Sequence, residues 1–293
     1  MTGFDEAWQL LAEVRAKRPL IHCITNYVTA GDVANMILAA GASPVMADGI
    51  TEVEEITELS RGLVLNIGTL KTAAVDAMLL AGKRAVELGH PVVFDPVGAG
   101  ASRFRTDVAR RIIRDVRCTV IRGNASEIGV LAGSKTRPRG VDADEREWLT
   151  GENRQEQITA AGKLSRETGA VIVITGPQDL IADENRTCLV GNGVPMLGQV
   201  TGTGCMLDGI IAAFLAAESA AVREQRWWQT TDAGERRFWQ TVYAVAAAGI
   251  CGELAEQRTT ASGGGAGSFR MYLMDAMSNL DDRQIKEGAR FEV

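Results

Sequence analysis

The segment Gly202-Thr-Gly-Cys205 has residue types and spacing that could do chemistry on an anion. It opens a helix predicted over Cys205–Ala217, and glycines ahead of a helix allow a tight turn and a close approach to a ligand. The first N–H groups of a helix lack internal partners and its dipole is positive there. Gly202 and Gly204 would therefore line a site for a transferring phosphoryl group. A thiol at the first helical position has a lowered pKa, so Cys205 could act as a base or a nucleophile; the alternative is an inert cysteine at an ordinary helix entry.

Two carboxylates and an arginine follow predicted strands. Asp95 ends the strand Pro91–Asp95. Arg122 ends the strand Cys118–Arg122, and Glu127 follows that strand. The carboxyl ends of parallel strands meet at one edge of an α/β sheet, where ligand sites collect. Asp95 and Glu127 could there share a Mg²⁺ that bridges phosphates, usually through water. Arg122 could grip phosphate or pair with a neighbouring acid.

The same segments also have purely structural interpretations. Asn124 and Glu127 have the spacing of a capping box with Asn as the cap, and Asp95 could form an Asx turn in the loop that follows it. Thr175 ends the strand Ala170–Thr175, where its hydroxyl could contact a nucleotide. The sequence by itself leaves both interpretations open.

Asn26 follows the first predicted strand, and Met46 ends the second. An amide, a thioether and apolar groups suit a small, neutral, flat ring, although Met46 could equally be a core residue. His22 lies inside the strand Pro19–Thr25, where a structural role is favoured. The rival interpretation is a Cys205–His22 hydrolase dyad, for which no residue that would orient the histidine is identifiable.

The elements that must position these residues alternate between short apolar runs and longer helical stretches. The runs are almost entirely apolar, as expected for strands buried on both faces of a parallel sheet. The predicted strands are Pro19–Thr25, Ala42–Met46, Leu63–Ile67, Pro91–Asp95, Cys118–Arg122 and Ala170–Thr175. Helical spacing is evident in Thr29–Ala40 and Phe104–Val116. The alternation predicts βαβ units and an α/β fold with a mainly parallel central sheet flanked by helices.

The pattern changes after Thr175. The following segments read as a β-hairpin, a long helix, a flexible link and a final helix: Asp179–Asp183 with Arg186–Val190, Phe238–Gln257, Ser262–Ser268 and Phe269–Leu280. Two charged stretches, Ser134–Gln155 and Arg223–Arg237, are predicted to be surface insertions. The Trp227/Trp228/Trp239 cluster beside the second could also be a contact patch, since exposed aromatic residues often mark interfaces.

Composition excludes several classes of protein. With 293 residues, of which 46% are hydrophobic and 23% charged, the chain can bury a large core. A net charge of −6 argues against a nucleic-acid binder. The five cysteines form no CxxC pair, so neither a disulfide framework nor a zinc site is expected. No uncharged apolar run is long enough to cross a membrane and no signal peptide is visible, so we expect a cytoplasmic protein.

Six motifs in order resemble the hydroxyethylthiazole kinase family. They are His22-Cys-Ile-Thr-Asn-Tyr27, Ala40-Gly-Ala-Ser-Pro-Val-Met46, Leu65-Asn-Ile-Gly-Thr69, Phe94-Asp-Pro-Val-Gly-Ala-Gly100, Ile121-Arg-Gly-Asn-Ala-Ser-Glu127 and Val200-Thr-Gly-Thr-Gly-Cys205. The resemblance is close over residues 7–219 and looser over the C-terminal helices. The chain departs from the family pattern in the two insertions, neither of which removes a matched residue.

The resemblance implies a single ribokinase-like domain over residues 1–293. It also implies that the chain uses ATP and Mg²⁺ to phosphorylate the hydroxyl of 4-methyl-5-(2-hydroxyethyl)thiazole, in thiamine salvage. The implied assembly is a homotrimer with active sites between subunits, without nucleic-acid or membrane partners. Three alternatives stay open: a hydroxymethylpyrimidine or pyridoxal kinase of the same fold, a nucleotide-binding sensor without catalysis, and a cysteine hydrolase.

Roles for individual residues also follow from the motif match. Met46 and Gly202 match positions that contact the thiazole, and Arg122 and Thr175 match ATP contacts. With these we assign Asn26 to the thiazole, Asn124 to ATP, and Asp95 and Glu127 to Mg²⁺. Asn124 and Glu127 match the NxxE motif of the superfamily. Cys205, with Gly202 and Gly204 beside it, matches the catalytic position at which many relatives carry an aspartate base. Cysteine at this position, together with Asn26 and Met46, favours the thiazole enzyme over other kinases of the fold.

Overall fold

The structure is a computed structural model, which describes residues 9–133, 153–217 and 229–293. Its described strands form one sheet in the order β2-β1-β3-β4-β5-β6-β7-β8-β9. The strands are Leu20–Ile24 (β1), Ser43–Met46 (β2), Gly62–Asn66 (β3), Val92–Asp95 (β4), Val120–Asn124 (β5), Val171–Thr175 (β6), Asp179–Ala182 (β7), Thr187–Val190 (β8) and Phe291–Glu292 (β9). The first six strands are parallel, and the last three add antiparallel pairs.

Helices cover both faces of this sheet. The described helices are Leu10–Lys17 (α1), Ala30–Ala40 (α2), Val53–Leu59 (α3), Thr72–Glu87 (α4), Arg103–Asp115 (α5), Ala125–Leu131 (α6), Arg154–Thr168 (α7), Thr203–Ala216 (α8), Ala233–Ala261 (α9), Ala266–Asn279 (α10) and Asp282–Gly288 (α11), with a 3₁₀ turn at Pro195–Gln199. Helices α1, α2 and α8 to α11 share one apolar core with the sheet. Helices α3 to α7 share a second core on the opposite face.

Alternation along the strands separates the two cores. In β3, for example, Val64 belongs to the core with α8, whereas Leu63 and Leu65 belong to the core with α4. Successive side chains of a strand point to opposite faces, so a strand buried on both sides must be apolar throughout. This requirement explains why the sequence pattern identified β1 and β3 to β6 to within two residues at each end. The edge strand β2, which was also located, is only partly buried.

The chain after Thr175 agrees only partly with the sequence interpretation. The hairpin is confirmed, with its turn held by Asp183, whose backbone and side chain both bond Arg186. Phe269–Leu280 is not the final helix, since α11 and β9 follow it. The link between α9 and α10 is shorter than predicted, because Ala266 already begins α10.

The two predicted insertions fall largely outside the described residues, as do Trp227 and Trp228. The end of the second, Ala233–Arg237, forms the first turn of α9 instead of an insertion. The alternative in which Trp239 belongs to an exposed contact patch is wrong. Trp239 is buried, and its ring contacts Phe238 and Phe291. Its apolar ring belongs to the core beneath the last strand. Within the described part of the chain, no helix has both the length and the apolar character that a bilayer crossing needs.

Candidate active site

Three neighbouring parallel strands deliver one polar side chain each to the same place. Asn66 ends β3, Asp95 ends β4 and pairs with Asn66 in register, and Arg122 lies in β5. Each is two residues beyond a valine that faces the core containing α8, so all three side chains face that side. Asn66, Asp95 and Arg122 are all buried. The sheet therefore builds a polar cluster at its carboxyl edge, under the start of α8.

Helix α8 completes the cluster with its first two turns. It begins at Thr203, with Gly202 as its N-cap at φ +87°, in the region that favours glycine. A Cβ on Gly202 would also lie 2.5 Å from the Thr29 methyl group, so the position excludes a side chain. A Cβ on Gly204 would lie 2.8 Å from Nη1 of Arg122. The backbone of this turn and the guanidinium are therefore packed directly against each other.

Hydrogen bonds and ion pairs join the strands to the helix. Arg122 donates from Nε to Oδ1 of Asp208 at 2.8 Å and from Nη2 to its Oδ2 at 3.2 Å. Nη2 also pairs with Oδ2 of Asp95. The amide nitrogen of Asn66 lies 2.6 Å from Asp95 Oδ2, 3.3 Å from Cys205 Sγ and 3.4 Å from Asp208 Oδ2. The cluster thus holds one cation among two carboxylates, a thiol and an amide.

The charged side chains of the cluster shift one another's pKa values. Burial raises the pKa of Asp95 well above its usual value, and the nearby Arg122 opposes that rise. Although burial disfavours a charged guanidinium, the carboxylates of Asp208 and Asp95 hold the pKa of Arg122 well above its usual value. Oδ1 of Asp95 is buried and accepts no hydrogen bond from the described residues. It is therefore an acceptor still available to a ligand.

Cys205 does not have the activated thiol that its place in the sequence suggested. It occupies the third helical position, not the first. Burial raises its pKa to about 12, and the charges of Asp95 and Asp208 act in the same direction. The expectation of a lowered pKa was therefore wrong. Desolvation and the two carboxylates outweigh Arg122 and Thr29, which act to lower the pKa, so Cys205 is expected to be a neutral thiol near neutral pH.

The Cys205–His22 dyad is also wrong. His22 points to the opposite face of the sheet, where its Nδ1 lies 3.0 Å from Thr57 Oγ1 and its Nε2 lies 2.8 Å from the Ala47 carbonyl oxygen. Burial lowers the pKa of His22, so Nε2 of the neutral ring donates to that carbonyl. His22 is a satisfied interior residue that holds the loop after β2.

Glu127 connects two loops at the same edge of the sheet. Its Oε1 accepts from the Gly98 N–H at 2.7 Å, and its Oε2 accepts from the Asn124 N–H at 2.8 Å. Asn124 in turn caps α6 by accepting from the Glu127 N–H, so the capping box is complete. The structural interpretation of this pair is therefore confirmed. Although Glu127 lies at the edge of the sheet, it is buried, with an exposure of 5%.

The remaining predicted residues lie at the rim. Thr175 ends β6, pairs with Asn124, and places its hydroxyl 3.4 Å from the Gly123 carbonyl oxygen. At the other end of the sheet, Asn26 follows β1 and accepts from the Val28 N–H at 3.0 Å. Met46 ends the edge strand β2 and is 39% exposed, so it is not a core residue. These side chains flank the buried cluster on either side.

Sequence reasoning gave no role to three residues that organise the site. Asn66 and Asp208 lie inside the cluster, and Arg105 ties together the loops after β3 and β4. Arg105 donates to the carbonyls of Ile67, Val97 and Gly68 at 2.6, 2.8 and 2.7 Å. One signal was available for Asp208, because it is the sole charged residue of α8 and follows Gly204 by four residues.

The fold is that of ribokinase-like proteins. A solved ribokinase-like superfamily protein from Enterococcus faecalis has the same fold, at a TM-score of 0.56 and 14% identity over 92% of this chain and 89% of that one. The solved structure of a hydroxyethylthiazole kinase protein from Pyrococcus horikoshii is more similar. It has a TM-score of 0.78 and 34% identity, and the match covers 98% of each chain.

The sequence comparisons identify the family. The model of the Hydroxyethylthiazole kinase family matches residues 11–283. The hydroxyethylthiazole kinase of Clostridium acetobutylicum is 46% identical over 96% of this chain and 97% of its own length. The hydroxyethylthiazole kinase of Desulfovibrio desulfuricans is 42% identical over 100% of this chain and 98% of its own length. The chain belongs to the hydroxyethylthiazole kinase family, as its motifs indicated.

Proposed function

We propose that this chain transfers the γ-phosphoryl group of ATP to the hydroxyl of 4-methyl-5-(2-hydroxyethyl)thiazole, as an enzyme of thiamine salvage in the cytoplasm. The observation that carries the proposal is the convergence of Asn66, Asp95 and Arg122 on the glycine-rich start of α8. Phosphoryl transfer passes through a loose transition state, so a catalyst acts mainly by positioning groups and stabilising charge. A helix N-terminus beside a fixed guanidinium supplies both. We further propose that residues 1–293 form one kinase domain.

The start of α8 is the proposed phosphoryl site. The N–H groups of its first turn have no partners within the helix. Because Gly202 and Gly204 carry no side chains, Thr29 and Arg122 can approach this turn closely. Arg122 lies against this turn and would bind the transferring phosphoryl group there. Cys205, a neutral thiol, would line the site without taking a proton. The hydroxyl of the substrate would pass its proton, late in the reaction, to an oxygen of the transferring phosphoryl group. Asn124 and Thr175 would line the nucleotide at the adjoining strand ends.

Mg²⁺ fits the acidic residues of this site. The unpaired Oδ1 of Asp95 is a hard oxygen donor of the kind that Mg²⁺ takes. Asp95 would hold the ion directly, and Glu127, whose oxygens already accept two backbone N–H groups, would do so through water. When bound, Mg²⁺ neutralises charge on the phosphate oxygens.

The thiazole would bind beside Asn26 and Met46, and the family resemblance further suggests a homotrimer with shared active sites. Four exposed apolar residues lie at or just beyond the carboxyl ends of β1 and β2: Tyr27, Val28, Met46 and Ile50, with exposures of 67%, 61%, 39% and 52%. We propose that they form one apolar patch. We call it the β1–β2 patch. Exposed apolar patches beside an edge strand are typical of subunit interfaces. A second subunit over this patch would enclose the thiazole.

A substrate panel with Mg²⁺ and ATP tests the proposal. The thiazole alcohol, hydroxymethylpyrimidine and pyridoxal would each be incubated with the protein, and the phosphorylated products quantified by mass spectrometry. We expect the thiazole alcohol to give the highest kcat/KM. Preference for either other alcohol would indicate another kinase of the fold. Nucleotide binding without turnover of any alcohol would indicate a sensor.

A further inference from the structure

Asp208 is a buried carboxylate in an otherwise apolar helix. It is fully buried, and α8 contains no other charged residue. A buried charge is costly unless it is paired, and replacing a buried ion pair by apolar residues is often neutral or stabilising. Stability of α8 alone therefore gives no reason for an aspartate at this position. Its contacts suggest a reason in the adjoining site.

The shorter hydrogen bonds of Asp208 fix the orientation of Arg122, while the Asn66 amide donates to it at 3.4 Å. Both oxygens of Asp208 accept from Arg122, through Nε and Nη2 at 2.8 and 3.2 Å. When two nitrogens of a guanidinium bond the same carboxylate, the guanidinium can no longer turn within its own plane. The remaining nitrogen, Nη1, then faces Gly204, where a Cβ would approach it to 2.8 Å. Asp208 thereby directs the Nη1 edge of Arg122 towards the first turn of α8.

The alternative partner for Arg122 is Asp95. Nη2 already pairs with Oδ2 of Asp95, while Oδ1 of that residue remains unpaired. Without Asp208, the guanidinium would be attracted to Asp95 alone and could engage both of its oxygens. That movement would take Nη1 away from Gly204 and would cover the free oxygen. Asp208 thus keeps Nη1 of Arg122 directed at Gly204 and leaves Oδ1 of Asp95 available to a ligand.

We infer that Asp208 is a positioning residue, which acts through Arg122 to hold its Nη1 edge against the start of α8, where the transferring phosphoryl group would lie. The inference rests on the proposed kinase function. It assigns Asp208 no contact with the substrate. Its effect on turnover must therefore depend on the presence of Arg122.

A double-mutant cycle tests this dependence. The variants are Asp208→Asn, which keeps the size of the side chain, Arg122→Met, and the two combined. Misplacing a catalytic group by about 1 Å can cost about 100-fold in rate, so we expect Asp208→Asn to lower kcat about 10–100-fold. In the Arg122→Met background the same change should cause no further loss, because the group that Asp208 positions is gone.

Binding separates positioning from a general charge effect. Asp208→Asn removes a negative charge, so the affinity for a non-hydrolysable ATP analogue, measured by calorimetry, should not weaken even though kcat falls. Asp183→Asn is the matched control, because it alters an aspartate–arginine pair at the hairpin turn, far from the site. We expect that control to change kcat by less than about threefold.

A second variant covers the case in which Asp208→Asn fails to fold. Arg122→Lys keeps a cation opposite Asp208 but lacks the planar fork, so it should fold and still lose about 10-fold or more in kcat. Equal losses from Asp208→Asn in both Arg122 backgrounds, or a kcat within threefold of wild type, would overturn the inference. A wild-type protein that phosphorylates none of the alcohols would instead overturn the proposed function.

Discussion

At the scale of single residues, the buried thiol of Cys205 is where local sequence and tertiary environment disagree most. Position at a helix start lowers a thiol pKa by aligned N–H groups, but Cys205 is only 8% exposed and lies beside Asp95 and Asp208. Those aspartates come from a distant strand and from the next turn of the helix. A reading limited to Gly202–Cys205 could not include them.

The raised pKa of Cys205 makes its alkylation slow. With a pKa of about 12, fewer than about one thiol in ten thousand is ionised at pH 7.5. We expect iodoacetamide to label Cys205 far more slowly in the native protein than in urea, with a rate that rises through pH 9 without a plateau. Mass spectrometry of the peptide containing Cys205 gives the rate. A plateau near pH 7 would instead indicate an activated thiolate.

Glu127 is expected to contribute to folding as well as to activity. In Glu127→Gln, one side-chain oxygen would have to serve both the Gly98 and the Asn124 N–H groups, and an NH₂ group would face one of them. A buried donor without its acceptor costs about 1–3 kcal/mol. Urea unfolding should therefore show a loss of that size, alongside a lower kcat. Full stability with reduced activity would leave Glu127 a role in ligand binding alone.

His22 should make stability depend on pH. Burial lowers its pKa in the folded state, whereas the unfolded chain takes up a proton near pH 6.5. Below that pH the unfolded state binds more protons, so the free energy of unfolding falls as the pH falls. We expect His22→Gln to reduce the loss between pH 7.5 and 5.5 by about 1 kcal/mol. An unchanged slope, measured by urea unfolding at each pH, would contradict the assignment of a neutral buried ring.

At the scale of elements, the first turn of α8 is constrained by what lies against it. In Gly204→Ala the new Cβ would lie 2.8 Å from Arg122 Nη1, so the guanidinium must move. We expect kcat to fall about 10-fold or more, in line with the effect of small displacements of catalytic groups. Gly209→Ala is unsuitable as a control, since its Cβ would meet Ile37 at 2.7 Å.

Gly31→Ala supplies the control for that measurement. Gly31 is also helical, but a Cβ there would meet no atom within 4 Å. The control should keep its kcat and gain slightly in stability, because alanine favours a helix over glycine. A Gly204→Ala enzyme as active as the Gly31→Ala enzyme would mean that the contact with Arg122 has no catalytic consequence.

The sequence predicted the elements better than the site. Strands buried on both faces are apolar throughout, and this local property located β1 and β3 to β6 to within two residues at each end. It also placed Asp95 and Arg122 at the same edge of the sheet. Pairing among the polar side chains depends on contacts between residues far apart in the chain, such as Arg122 with Asp208. Those contacts cannot be inferred from periodicity, and so Asn66 and Asp208 were missed.

At the scale of the whole molecule, the β1–β2 patch makes the assembly testable. If subunits meet there, light scattering should give about three times the 31.3 kDa subunit mass. Ile50→Asp should lower that mass and the activity together, because a charge would be buried in the interface. Leu59→Asp is the control, since Leu59 is 70% exposed but lies at the end of α3, outside the patch. A fully active monomer would contradict a shared active site.

A buried carboxylate is one of the groups that join the opposite ends of the described chain. Asp282, at the start of α11, accepts from the backbone N–H groups of Leu11 and Ala12 at 3.0 and 2.9 Å, and Tyr243 donates its hydroxyl to the same group. Asp282 therefore accepts from backbone N–H groups at the start of α1 that have no partner within the helix, which has no side-chain cap of its own.

This junction has a consequence for folding during synthesis. Leu11 and Asp282 are 271 residues apart, and ribosomes add about 5–20 residues per second. The first helix is therefore complete for on the order of tens of seconds before its cap exists. Through that interval the apolar side of α1 lacks the contacts that the C-terminal helices provide in the folded protein.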